Sequence, residues 1–219
     1  MSDAALRYPI ATARAAEEAG HSYDLVLGVD PMTRDLSRPL QPGRVAFMFG
    51  LGGLIGMGGV FVGLFVVRRG PFALIVPALA FFIGGAMASA SLRTGLRGMI
   101  SFGLAFVVGG VGSLLLVVGT QAMGGESPFY IIFVFLVYMG VAWGVGGLIA
   151  LFPLFGWSYV LGLGLIGFSG GGAVGGLILA LAVVSGFQFF WVATTVGVVV
   201  ASAIGGGVVA WAMNSRSAA

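Results

Sequence analysis

The sequence predicts an all-α fold, a polytopic integral membrane protein built as a glycine-rich bundle of six transmembrane helices. Of its 219 residues, 59% are hydrophobic and 8% are charged, and the mean hydropathy is +1.11. A soluble domain carries about 25% charged residues. Apolar runs of about 20 residues, each long enough to cross a hydrocarbon layer of roughly 30 Å, recur along the chain. Forty glycines are distributed among the Leu, Val, Ile and Phe of these runs.

The hydrophobic pattern divides the chain into three parts. Residues 1–44 form a polar cytoplasmic N-terminal segment, residues 45–213 form the transmembrane domain, and residues 214–219 form a short cytoplasmic tail. The six spans are predicted at residues 45–67, 72–92, 99–119, 129–152, 158–184 and 187–213. Because the connections are short, consecutive helices should be antiparallel neighbours.

The N-terminal segment differs in composition from the rest of the chain. Residues 9–19 predict a short helix, since Pro9 suits the first position of a helix and Gly20 suits its end. Two roles stay open for this segment. It is either a flexible cytoplasmic tail or a docking segment for a cytoplasmic partner or a neighbouring subunit.

The placement of arginine predicts the orientation, because cytoplasmic loops of membrane proteins carry an excess of basic residues. Two arginines, Arg68 and Arg69, fall on one side of the predicted bundle. Six fall on the other side: Arg34, Arg38, Arg44, Arg93, Arg97 and Arg216. We therefore expect the N- and C-termini in the cytoplasm. All ten basic residues are arginine, which is typical of a GC-rich bacterial genome and favours a bacterial plasma (inner) membrane.

Glycines spaced four residues apart are the predicted points of helix contact. This spacing keeps them on one helix face, and the missing side chain lets another backbone approach closely. The candidates lie in the first and fifth spans: Gly52 and Gly56, then Gly167, Gly171 and Gly175 on one stripe and Gly172 and Gly176 on a second. Such a glycine zipper serves either packing within the chain or an interface between subunits of an oligomer.

A threefold repeat of helical hairpins is a second possible feature of the sequence. Phe49-Gly50-Leu51 opens the first span, Phe102-Gly103-Leu104 the third, and Leu161-Gly162-Leu163 lies early in the fifth. A composition rich in Gly, Leu and Phe also produces such matches by chance. Internal repeats are common in transporters, but structural proteins contain them too.

Reactive side chains are scarce, which excludes most chemistry. The chain has no cysteine, and its single histidine, His21, precedes the first span. Between Gly98 and Ser215 the one formal charge is Glu126, in a predicted loop. We therefore expect no metal, no cofactor and no nucleic-acid partner. Ionisable groups inside the membrane usually mark proton relays and ion-coupled transport, and the predicted spans hold none.

The segment Gly167-Phe168-Ser169-Gly170-Gly171 resembles the serine motif of the rhomboid intramembrane proteases. That resemblance implies a serine nucleophile at Ser169, which needs a histidine base. Since His21 is the only histidine, the sequence predicts a protein that is not an enzyme.

Two functions are compatible with these observations. The first is a non-catalytic multi-pass membrane protein that acts as a structural, assembly or accessory subunit, in contact with the lipid bilayer and with other membrane subunits or copies of itself. The second is a passive channel or carrier for a small neutral solute or ion. Its site would lie where glycine runs 170–172 or 205–207 break a helix, with Ser169, Thr194 and Thr195 lining the path.

Overall fold

The computed structural model describes residues 39–67, 72–120, 127–155, 166–186 and 190–217. The helices in these ranges are α1 (Pro42–Phe61), which continues into a π-helical turn (Val62–Val67), α2 (Phe72–Ala90), α3 (Gly95–Thr120), α4 (Pro128–Phe155), α5 (Gly170–Val184) and α6 (Phe190–Ser217). Within the described ranges, six helices are long and apolar enough to cross a membrane. The predicted all-α membrane fold with six spans is confirmed.

The helix ends differ from the predicted ones at a few positions. α1 begins at Pro42, since proline lacks an amide hydrogen and suits the first turn of a helix. α6 runs to Ser217, so the predicted tail is helical over most of its length. The fifth span is described from Ile166, and residues 156–165 lie outside the described ranges. The chain divides into units Met1–Arg38 and Pro39–Ala219; the first, with the predicted helix at 9–19, also lies outside them.

The six helices form a closed ring in chain order. Each helix packs against its neighbours in sequence, and α1 packs against α6 to close the ring. At one end of the bundle a reciprocal pair of hydrogen bonds joins the two closing helices: the Leu40 amide donates to the Asn214 side-chain oxygen at 2.9 Å, and the Asn214 side-chain nitrogen donates to the Leu40 carbonyl at 2.6 Å. The chain segments that enter and leave the described bundle therefore meet at the same end.

The outside of the ring is apolar, as lipid contact requires. Every one of the six helices exposes large apolar side chains. Examples in chain order are Phe47, Leu74, Leu104, Phe133, Leu181 and Val192. Without a hydrophobic driving force between helices in lipid, close packing must hold this ring together.

Glycine contacts provide that packing, and the closest joins α1 to α2. A methyl group built on Gly52 would lie 2.5 Å from the Gly84 carbonyl oxygen, and one built on Gly84 would meet the Gly52 carbonyl oxygen. The two backbones are thus in direct contact. The same relation joins Gly175 of α5 to Gly197 of α6.

Aromatic side chains fill the centre of the ring. Phe49 of α1, Phe102 of α3 and Phe168, just before α5, form a triangle with ring centroids 5.3, 6.3 and 6.3 Å apart. Phe106 contacts Phe49 at 5.8 Å and Trp143 of α4 at 5.5 Å. All five side chains are at most 1% exposed, so the ring encloses a packed core.

The central triangle gives the bundle a threefold arrangement of hairpins. Each even-numbered helix places a glycine against the triangle residue of the next odd-numbered helix: Gly85 against Phe102, Gly147 against Phe168 and Gly206 against Phe49. The predicted alignment of Phe49 with Phe102 agrees with this arrangement. The predicted third member, Leu161, lies outside the described residues, and Phe168 completes the triangle.

Candidate functional site

The predicted packing glycines all face neighbouring helices of the same chain. Gly56 packs on the ring of Phe81 in α2, and Gly52 on Gly84 as described above. In the fifth span the two predicted stripes have different partners. A methyl group on Gly171 would lie 2.6 Å from the Ala201 carbonyl oxygen of α6, and one on Gly167 would lie 3.2 Å from Val208, also of α6.

The second stripe of the fifth span faces α4. A methyl group on Gly172 would meet the Met139 carbonyl oxygen, and one on Gly176 would meet the Phe135 carbonyl oxygen. The fifth span packs closely against both α4 and α6, and each of its two glycine stripes faces one of these helices. Because these faces are occupied within the chain, any partner protein must bind to a different surface.

The glycine runs do not unwind their helices. Gly205–Gly207 lie inside α6, and Gly170–Gly172 form the first turn of α5. Residues 166–169, immediately before α5, are π-helical. Such a wider turn leaves the backbone helical and hydrogen-bonded, whereas a discontinuous transporter helix exposes free carbonyl groups.

The three hydroxyl residues predicted to line a path do not come together. The Thr194 hydroxyl donates to the Phe190 carbonyl at 3.0 Å, and the Thr195 hydroxyl donates to the Trp191 carbonyl at 2.8 Å. Ser169 lies against Gly144 of α4. From the antiparallel pairing of Gly171 with Ala201 and Gly175 with Gly197, Ser169 lies about 13 Å along the bundle axis from Thr194, at 1.5 Å per residue.

Three further buried hydroxyls donate to carbonyl groups of the protein itself. Ser89, Ser113 and Ser202 each donate a 2.7 Å hydrogen bond to a carbonyl of their own helix. The Trp143 indole nitrogen donates to the Ser113 hydroxyl at 3.2 Å. Among the described residues no buried side-chain nitrogen or oxygen lacks a partner. The hydroxyls of Ser89, Ser113 and Ser202 are therefore engaged within the protein.

The hydrogen bond between Trp143 and Ser113 joins two helices, and no sequence pattern indicates it. We expect Ser113→Ala to lower the free energy of unfolding by about 1–3 kcal/mol, because it strands the buried Trp143 N–H. Equilibrium unfolding in mixed micelles, followed by circular dichroism, measures this change. Ser202→Ala is the matched control: its hydroxyl bonds only its own helix, so the change should be close to neutral. Equal losses in the two variants would contradict the prediction.

Ionisable ligands are absent from the described bundle as well. No group of three or more His, Asp or Glu side chains that could hold a metal ion occurs within the described ranges. The described interior is a contact surface between helices. Comparison of the chain with models of protein families, with curated proteins and with solved structures finds no match.

Proposed function

We propose that this protein is a non-catalytic membrane subunit that supports other membrane proteins as a structural, assembly or accessory component. The observation that carries the proposal is the filled centre of the ring, where Phe49, Phe102, Phe106, Phe168 and Trp143 pack together. A bundle whose described centre is filled by aromatic side chains offers its outer surfaces for contact. Lipid, neighbouring subunits and a cytoplasmic partner of residues 1–44 are the proposed contacts.

Affinity purification from native membranes tests this role. The tagged full-length protein should be extracted with a mild detergent, and its complexes weighed by native mass spectrometry. The proposal expects a stoichiometric partner or a defined homo-oligomer, which an unrelated six-span protein expressed at the same level does not give. A lone monomer under the gentlest extraction would count against a subunit role.

A passive channel or carrier is the second candidate function. The two π-helical segments, Val62–Val67 and residues 166–169, favour it, since π-helical turns frequently occur at functional sites. The second of these carries Phe168 of the central triangle, so a change of its turn would move a central ring. Proteoliposomes that release glycerol or potassium faster than protein-free vesicles would favour this function over the subunit role.

We further propose that the membrane is the bacterial inner membrane and that both termini are cytoplasmic. Arg44 lies at the start of α1, Arg93 between α2 and α3, and Arg97 in the first turn of α3. All three belong to the arginine-rich side of the sequence. Antiparallel succession brings these positions to the same end of the bundle, as the positive-inside rule favours.

Reporter fusions at the C-terminus test the orientation. We expect green fluorescent protein fused after Ala219 to fluoresce, and alkaline phosphatase at the same point to be inactive, because phosphatase needs export to form its disulfides. Replacing Arg93 and Arg97 by Glu should weaken this bias, because the positive charges set it. An active phosphatase fusion on the unaltered chain would contradict cytoplasmic termini.

A further inference from the structure

A groove of about 320 Å³ opens to the outside of the bundle between α1 and α6. Seven residues line it: Ala46, Phe47, Gly50, Leu51 and Leu54 of α1, and Val199 and Ala203 of α6. All of these are apolar. The small residues Gly50 and Ala203 lie opposite each other in the groove: a methyl group on Gly50 would lie 3.6 Å from the Ala203 side chain. The groove therefore suits a hydrocarbon.

The length of the groove matches one leaflet of a bilayer. Ala46 and Leu54 are about 12 Å apart along α1 at 1.5 Å per residue, and one leaflet contributes about 15 Å of hydrocarbon. Beyond the groove, the rings of Phe61 and Trp191 meet at 6.0 Å and join α1 to α6. A membrane-spanning helix of a partner would need a groove of twice this length, so an acyl chain fits better.

A cation lies in the same turn of α1 as the first lining residues of the groove. Arg44 is exposed and precedes Ala46, and its spacing to Phe47, Leu51 and Leu54 places it on the same face of α1. The first turn of α1 contains no acidic residue. Guanidinium groups bind phosphate through paired, charge-assisted hydrogen bonds. Positive charge above an apolar channel one leaflet deep is complementary to a negatively charged phospholipid.

We propose that the α1–α6 groove binds one anionic phospholipid, with an acyl chain between Phe47 and Ala203 and the phosphate on Arg44. The lipid would seal the joint at which the first and last helices of the ring meet, next to the Leu40–Asn214 pair. This site does not depend on the subunit role proposed above, since its evidence lies on the lipid-facing surface.

The test counts lipids that stay bound to the full-length protein. Protein is reconstituted in nanodiscs of dioleoylphosphatidylcholine with dioleoylphosphatidylglycerol, transferred to detergent, and examined by native mass spectrometry. We expect the unaltered protein to retain one phosphatidylglycerol in preference to phosphatidylcholine. Arg44→Ala should lower retention of phosphatidylglycerol about fivefold, from the loss of one basic residue near an anionic lipid, and leave phosphatidylcholine unchanged.

Two groove variants and two controls complete the design. Ala203→Leu and Val199→Phe fill the groove and should lower retention of both lipids. Circular dichroism checks that each variant folds. If one of them does not fold, the other still tests the site. Arg97→Ala removes an exposed arginine outside the groove, and Gly58→Leu adds a side chain to α1 where no atom lies within 4 Å. Both controls should retain lipid like the unaltered protein.

Three results would overturn the lipid site. The first is equal loss of phosphatidylglycerol in Arg97→Ala and Arg44→Ala, because bulk surface charge then explains binding. The second is unchanged lipid retention in a folded groove variant. The third is a dimer of the unaltered protein that Ala203→Leu dissociates, because a second copy of the chain then occupies the groove.

Discussion

Replacing Gly84 by alanine is expected to lower the free energy of unfolding by about 3 kcal/mol or more, the upper end of the range for overpacked cores. The added methyl group would meet the Gly52 carbonyl oxygen across the α1–α2 contact. Because that obstacle is backbone, no side-chain rotation relieves it, and the two helices must move apart. Equilibrium unfolding in mixed micelles of detergent and dodecyl sulfate, followed by circular dichroism, measures the loss.

Gly58→Ala is the matched control for this substitution. Gly58 lies in α1 on the exposed side, and a methyl group there would meet nothing within 4 Å. Alanine is the better helix former by up to about 1 kcal/mol, so this variant should be neutral or more stable. If Gly84→Ala were as stable as Gly58→Ala, direct backbone contact between α1 and α2 would be wrong.

Phe49→Ala is the second substitution with a large expected effect. Phe49 contacts Phe102, Phe106 and Phe168 at the centre of the ring and is fully buried. Truncations of this kind cost roughly 3–5 kcal/mol in soluble proteins. In a bilayer the unfolded, inserted chain also keeps its side chains in an apolar medium, so the cavity and the lost ring contacts make up the cost. We therefore expect Phe49→Ala to lower the free energy of unfolding by about 2 kcal/mol.

The control for the central cavity is Phe133→Ala. Phe133 is 64% exposed on the outside of α4, where lipid fills the space that the ring leaves. Unfolding measured as above should give a free energy close to that of the unaltered protein. If Phe133→Ala lowered the free energy of unfolding as much as Phe49→Ala, the aromatic centre would not stabilise the bundle more than the lipid-facing surface does.

The spans and the packing role of glycine follow from the sequence, because both depend on local physics. Twenty apolar residues predict a crossing wherever they occur, and a spacing of four keeps Gly171 and Gly175 on one face in any helix. The spacing of glycines does not decide between packing within the chain and packing between chains. That choice depends on which carbonyl group lies opposite each glycine, and Ala201 and Met139 are far from the fifth span in sequence.

The central aromatic cluster could not be predicted for a related reason. The chain contains 18 phenylalanines, and burial separates Phe49 from Phe47 although both lie in one turn of α1. The rotation of each helix about its own axis decides which of its phenylalanines point to the centre of the ring. The path predicted at Thr194 and Thr195 rests on residue type alone, whereas both hydroxyls donate to carbonyls of their own helix.

The sequence pattern predicts part of the threefold arrangement of hairpins. The match of Phe49 with Phe102 rests on identical neighbours, Gly and Leu, at equivalent positions. In the third hairpin the central ring is that of Phe168, which lies in the π-helical turn before α5. A wider turn of this kind shifts the register of a helix without a marker that sequence spacing reveals.

A dry centre is the central claim, and thiol labelling tests it most directly because the chain has no cysteine. Ser113 shares a helix face with Phe102 and Phe106, and Ser202 shares one with Gly205 and Gly206, which contact Phe168 and Phe49. Single Ser113→Cys and Ser202→Cys variants in membranes should not react with a water-soluble thiosulfonate, because a thiol buried in apolar surroundings stays protonated. Ser185→Cys, at an exposed position after α5, should react fully. Labelling of either buried position at the rate of the Ser185→Cys variant would reveal water in the ring and contradict a sealed bundle.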